Sequence, residues 1–457
     1  MKWRVLPAVC FVLILFAGFS YLYVNTFVRK RQHAVILFVV DGLDLNTLAA
    51  ARAQLGRNAK VGEPDDPLIG DARRRVADRS GVLNLDALWN VALLNVQEPG
   101  RPVPDEGADA TALACGQRVD NGDVAMNARH EALQSLLYAA EQAQRWTGLV
   151  TTSSLVRPTP VAFYSTAKDE PMPYRNAEDL VYANISVILG GGGRYFAPAT
   201  ASNELGRLDR RDLFSEAERR GYAVVRTREE LTQLSTWRNR QVLGIFAPGD
   251  FDFASLRPEG STQPSLAEMT RTAISILNDS IGGYFLVVEH GLVARAAEEN
   301  FGKLAVNEVA EVDEALNAAI AYAGPDALVL VTNSYSLGAL APSGPPPSIQ
   351  LPARPVTASA PAVSGPPAPA LAAAWVAGPG GPAVTGEEQE WLRQYTARGW
   401  FSTNAPGWLQ PQPALRFQTR ALPRGDAAWL LSRGDGSAQM RGLFNNTDLF
   451  DLVSEQF

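Results

Sequence analysis

Apolar residues in this chain gather into short unbroken runs, with helical patterns between them. The first run, Ala34-Val35-Ile36-Leu37-Phe38-Val39-Val40, stops at Asp41-Gly42. Others follow at 148–151, 186–189, 222–225, 242–246, 284–288, 328–331 and 373–377. Strands with one wet face alternate apolar and polar residues. Runs without alternation suit strands covered on both faces, as in parallel sheets. Between the runs, His130–Arg145 sets Leu133, Leu136, Leu137, Ala140 and Ala143 on one helical face. Leu266–Leu277 does the same with Met269, Ala273 and Leu277. The pattern predicts an α/β fold: a three-layer α/β/α sandwich around a largely parallel central sheet.

The run at the N-terminus is of a different kind. Residues 6–28 are apolar and uncharged, with Lys2 and Arg4 before them and Arg29-Lys30-Arg31 after. As a helix this stretch spans roughly 34 Å, enough for a bilayer core. Tyr21 and Tyr23, near one end, suit the membrane interface. No small-x-small pair follows to mark a cleavage site. The reading is therefore an uncleaved single-pass transmembrane helix, an anchor over residues 1–33 that partners the membrane through 6–28. Residues 34–457 are read as one domain carrying a Pro/Ala-rich excursion at 341–369, too poor in bulky apolar residues to pack a core.

Charge and cysteine usage narrow the function classes. The 457 residues carry a net charge of −7 and no basic stripe beyond the anchor flank, which excludes nucleic acid as a main partner. The two cysteines are Cys10, inside the anchor, and Cys115, so no disulfide forms within the domain. Gly190–Gly193 lacks the Lys-Ser/Thr of a phosphate-binding loop and reads as a structural turn.

Asp105-Glu106-Gly107-Ala108-Asp109-Ala110-Thr111 runs on through Ala112-Leu113-Ala114 to Cys115-Gly116. This segment resembles the nucleophile segment of alkaline phosphatases. Further islands similar to that family follow in order. They are Val39-Val40-Asp41-Gly42, Gly148–Ser153 running into Thr159–Tyr164, Val187–Phe196, Phe285–Glu289, Val331-Thr332 and Gly442–Phe450. The resemblance covers the chain from about residue 34 onward. It implies the alkaline-phosphatase-like fold, an extracytoplasmic main domain (periplasmic in a bacterium), and a site built from a serine, two zinc ions, one magnesium ion and a phosphate-gripping arginine.

Most of those groups are replaced here. The serine position holds Glu106. The family's zinc-ligand Asp and His positions fall on Ala294 and Glu298, and its later Asp-His pair on Ser334 and Tyr335. The arginine position falls on Glu170, and no histidine follows His290. His33, His130 and His290 are read as surface or packed residues. Asp41, Thr159 and Glu289 match the family's magnesium ligands, hard oxygens that suit Mg²⁺. Zinc is not expected; magnesium remains open. Arg157 stands where a further family ligand sits, and is expected to place its guanidinium among Asp41, Glu289 and Glu106 in place of the lost cations. The resulting expectation is a membrane-anchored, catalytically inactive pseudophosphatase acting as a binding or scaffolding module, as a homodimer or with an envelope protein partner. The alternative is a metal-dependent phosphomonoester hydrolase using Asp41, Thr159, Glu289 and Glu298, with Glu106 as ligand or base.

Overall fold

The computed structural model describes residues 13–20, 34–55, 83–98, 102–168, 172–200, 206–299, 301–336, 340–343, 372–375 and 427–457. Its strands are β1 (Ala34–Asp41), β2 (Asn90–Asn95), β3 (Trp146–Ser154), β4 (Val187–Gly191), β5 (Ala223–Val225), β6 (Val242–Ile245), β7 (Tyr284–His290), β8 (Leu328–Ser334), β9 (Leu340–Ser343), β10 (Ala372–Trp375), β11 (Ala428–Arg433) and β12 (Gly442–Asn445). Its helices are α1 (Leu45–Leu55), α2 (Glu106–Cys115), α3 (Leu136–Gln142), α4 (Pro158–Val161), α5 (Pro173–Tyr182), α6 (Leu213–Arg219), α7 (Arg228–Gln233), α8 (Leu266–Leu277), α9 (Leu292–Glu298), α10 (Gly302–Ala323) and α11 (Asp448–Ser454).

Ten strands make one sheet, in the order β12-β2-β11-β8-β1-β7-β3-β4-β6-β5. Every pairing is parallel except those of β11, which runs against both β8 and β2. β1 shows why its apolar run has no gaps. Ile36, Phe38 and Val40 enter one core with residues of α1, α8, α9 and α10. Val35, Leu37 and Val39 enter the opposite core with residues of α2, α3, α5, α6 and α11. Both faces of the strand are dry, and each such side chain contributes about 1.5–3 kcal/mol on burial. The result is the expected three-layer α/β/α sandwich.

Particular elements differ from the sequence reading. The helix expected over 130–145 begins only at Leu136. The Ser135 hydroxyl caps it by accepting from the Tyr138 amide, and Leu133 donates its amide to Ala125 in a turn instead. The 266–277 helix has the expected limits, fixed by a capping box between Ser265 and Glu268. The run at 373–377 contributes β10, which pairs with β9 in a separate two-stranded sheet. β2, β11 and β12 were not anticipated; β2 alternates buried and exposed residues because it lies near an edge.

Of the anchor, residues 13–20 are described: they are helical, and Leu13, Ile14, Leu15, Phe16 and Phe19 are exposed. Among the described residues no helix is long and apolar enough to cross a membrane. The rest of the 6–28 segment lies outside the described residues. So does the 341–369 excursion apart from its first three positions.

Candidate functional site

β1, β3, β7 and β8 bring their C-terminal ends to one place, the usual location of sites in open α/β sheets. Register sets Asp41 beside Ser334 and Thr151 beside Glu289. β3 then turns through Arg157 into the short helix α4, started by Pro158, which delivers Thr159. α2 begins at Glu106 over the same point; Asp105 caps it by accepting from the Ala108 amide at 2.8 Å.

Two carboxyls lie at the bottom. Asp41 is 2% exposed and Glu289 1%. The Asp41 Oδ2 accepts from the Thr159 hydroxyl at 2.7 Å, and its Oδ1 accepts from Ser334. Glu289 accepts from the Ser153 hydroxyl at 3.1 Å through Oε1 and from Thr151 through Oε2. Hydroxyls thus stand in for water. They do not offset the loss of solvent: burial, with the Glu106 charge next in weight, pushes the Asp41 carboxyl up to about 7. Burial and the neighbouring Asp41 hold Glu289 well above the usual carboxylate range.

Above them sits an ion pair. Arg157 grips Glu106 with two bonds, Nη2 to Oε2 at 2.7 Å and Nε to Oε1 at 3.3 Å. Its Nη1 faces Asp250 at 3.6 Å. Burial opposes the charge of Arg157, but Glu106, Asp250 and Glu298 outweigh it and hold the guanidinium firmly protonated. The arginine therefore meets Glu106 directly, whereas it reaches Asp41 only as a nearby charge. No hydrogen bond joins it to Glu289 among the described residues. Glu298 lies farther out, with Arg295 at 3.8 Å, and acts on Arg157 and Tyr335 through space.

Side chains around this centre brace it. Asp109 accepts from the Tyr335 amide and from Asn446, each at 2.8 Å, joining α2 to the loops after β8 and β12. Tyr335 holds a left-handed backbone, φ 44°, at that contact. His290 points away from the carboxyls: its Nδ1 bonds the Thr152 hydroxyl at 2.8 Å, and its Nε2 lies 3.3 Å from Glu308. His130 is exposed, and His33 lies outside the described residues, as does Glu170. Lys168 pairs with Asp123 at 3.0 Å. The glycine run is structural. A Cβ on Gly191 comes within 2.1 Å of the Gly249 carbonyl, and Gly192 donates its amide to Gly249 at 2.8 Å.

The donor set decides which metal suits. Zinc prefers histidine, cysteine and carboxylate ligands, and the positions expected to match the family's zinc ligands hold Ala294, Glu298, Ser334 and Tyr335. Among the described residues no three His, Cys, Asp or Glu side chains converge closely enough to hold a metal ion. Two carboxylates and the Thr159 hydroxyl are hard oxygens of the kind magnesium accepts.

Several residues here were not singled out from the sequence. Asp250 follows Pro248-Gly249 at the end of β6, a loop signal with nothing to mark it as the partner of Arg157. Thr151 and Ser153 lie on β3, inside the Gly148–Ser153 island, where nothing marked them as the partners of Glu289.

Fold and site together define a three-layer α/β protein whose polar centre lies at the strand ends. A family model described as alkaline phosphatase matches residues 32–360. The tissue-nonspecific alkaline phosphatase of Mus musculus is 30% identical over 353 residues, covering 68% of this chain and 64% of that protein. Alkaline phosphatase 4 of Bacillus subtilis is 28% identical over 354 residues, covering 74% and 70%. The Thermus thermophilus alkaline phosphatase structure superposes with a TM-score of 0.67 at 23% identity, covering 93% of this chain and 91% of that one. The enzyme of the Antarctic bacterium TAB5 gives 0.61 at 18%, covering 93% and 98%; at such identities the likeness speaks for the fold alone. This chain belongs to the alkaline phosphatase family. It spans 64% of the length of the mouse relative it matches.

Proposed function

We propose that this chain is a membrane-tethered, non-hydrolysing member of its family, a binding or scaffolding module with its main domain outside the cytoplasm. One observation carries the reading: the Glu106–Arg157 pair. A glutamate stands at the nucleophile position, and its carboxylate is engaged by a guanidinium at 2.7 Å. A carboxylate tied down in this way is a poor nucleophile, and its charge repels a phosphate dianion. The groups that activate a serine are replaced together, and loss of an interdependent set removes the mechanism rather than slowing it.

The test is a hydrolysis assay on a generic phosphomonoester with added Zn²⁺ and Mg²⁺, alongside elemental analysis of the protein. The expected result is no turnover and no stoichiometric zinc. Turnover that disappears in Asp41→Ala or Glu106→Ala overturns the proposal.

A second reading, a hydrolase with an altered metal set, is favoured by the two buried carboxyls whose proton affinity is raised. Such a pair attracts a cation. Asp41, Glu289 and Thr159 would hold Mg²⁺, which supplies positive charge to a phosphoryl oxygen when bound. Under this reading the two bonds from Arg157 hold Glu106 out of that shell.

A further inference from the structure

A cavity of about 940 Å³ opens beside the Glu106–Arg157 pair, within the size range of small-molecule sites. Three guanidinium groups line it, from Arg157, Arg194 and Arg295. Arg157 spends Nε and Nη2 on Glu106, but its Nη1 meets Asp250 only at 3.6 Å, beyond a good hydrogen bond. Arg295 is 42% exposed and stands 3.8 Å from Glu298. Arg194 donates Nε to the Pro248 carbonyl at 3.0 Å, with its guanidinium 6.0 Å from the Tyr195 ring centre. Ser154 also lines the cavity. It is 6% exposed, and its buried hydroxyl makes no hydrogen bond. A buried hydroxyl without a partner is costly unless a ligand supplies one. Tyr195, Phe251, Phe253 and Leu256 give the cavity apolar walls.

The charges around it select among anions. Asp250 and Asp252 share the lining, and Glu106 and Glu298 stand behind Arg157 and Arg295. Both the repulsion from these four carboxylates and the attraction to the three guanidiniums double for a dianion, and because the carboxylates outnumber the guanidiniums by one the net effect disfavours it relative to a monoanion. A carboxylate matches the guanidinium fork with half the charge of a phosphate ester. We infer that this cavity binds a small organic carboxylate with a flat apolar body, its carboxylate between Arg194, Arg295 and the Ser154 hydroxyl and its body against Tyr195 and Phe251. The inference rests on the binding-module reading, but the two fail separately, since one is tested by turnover and the other by binding.

Isothermal titration of the full-length protein in detergent tests it, with 2-naphthoate, 2-naphthol and 2-naphthyl phosphate as probes. Saturable binding is expected for naphthoate, with naphthol and naphthyl phosphate each at least about tenfold weaker, the size of one lost charge-assisted contact. Arg194→Gln and Arg295→Gln should each weaken naphthoate about tenfold, and Ser154→Ala by a smaller factor, with circular dichroism confirming that each variant is folded. No saturable naphthoate binding overturns the inference. So does naphthoate binding unchanged in both arginine variants, or naphthyl phosphate binding more tightly than naphthoate.

Discussion

Thr159 donates its hydroxyl to Asp41 across 2.7 Å, joining residues 118 positions apart in the chain. Ser334 meets the other oxygen of Asp41, and Thr151 and Ser153 meet Glu289. Four hydroxyls thus solvate two buried carboxyls, and among the described residues no arginine, lysine or histidine bonds either of them directly. This makes the floor of the site proton-sensitive.

The direction of that sensitivity follows from the raised Asp41. Its carboxyl titrates near 3.8 when unfolded and at about 7 when folded, chiefly because of burial and then because of Glu106. Between those values the native state holds a proton that the unfolded chain has released, so stability falls as pH rises and levels off above about 7. Glu289 shifts the same way. Thermal melts from pH 4.5 to 8 should therefore show a falling Tm. Asp41→Asn should flatten the slope, and an unchanged slope would refute the assignment. Added Mg²⁺ should raise Tm more at pH 8 than at pH 5, because protons and the cation compete for the same oxygens.

Removing Arg157 leaves Glu106, only 13% exposed at its side chain, without its guanidinium partner. Arg157→Met should cost about 1–3 kcal/mol in urea unfolding, less than a fully buried pair because water reaches both groups. The double variant Arg157→Met/Glu106→Gln should recover more than half of that loss. Equal cost in the single and double variants would mean that the two side chains are not coupled.

Restoring the serine alone should not restore hydrolysis. Glu106→Ser returns the family's nucleophile, but Ala294, Ser334 and Tyr335 still supply no histidine. Phosphomonoesterase activity should stay at background with zinc present. A gain of activity from this one change would show that the remaining groups suffice.

Gly42 links the site to its scaffold. It has φ 81°, and a Cβ there falls 2.5 Å from the Ala294 backbone on α9. Gly42→Ala should therefore cost about 1–3 kcal/mol through backbone strain and the displaced helix, measurable in the same urea titration. Gly260→Ala is the control: its φ is also positive, at 78°, but nothing lies within 4 Å of the added methyl. Its smaller loss isolates the contribution of the contact.

The proposed membrane tether is tested by fractionation. Full-length protein should sediment with membranes and resist extraction by high salt or carbonate. A chain starting at residue 34 should stay in the supernatant. Release of the full-length chain by salt alone would argue against a spanning segment.

The central strands were legible because dry faces on both sides demand continuous apolar sequence, as in β1 and β7. β2 was not: its Val91 and Leu93 face outward, and its pattern resembles many surface segments. The helix at 266–277 was legible from the spacing of Met269, Ala273 and Leu277, and all three are buried. The one at 136–142 was overextended because Leu133 fits a helical period but serves a turn. At the site, residues that replace family ligands could be counted off from fixed motifs, which located Glu106 and Arg157. Asp250 could not be found that way. Its role depends on two loops, after β3 and after β6, meeting in space, and no local spacing encodes that meeting.

Among the described strands β11 is the sheet's lone antiparallel member, and it joins β2 to β8. β2 is translated more than three hundred residues earlier, yet it has no place in the main sheet until residues 428–433 arrive. A nascent chain must therefore wait, with one border of its scaffold unfinished, until residues 428–433 have been made. Premature stop codons before that point should leave an assembly that quality-control proteases recognise, even though every residue at the polar centre except Asn446 has already been synthesised.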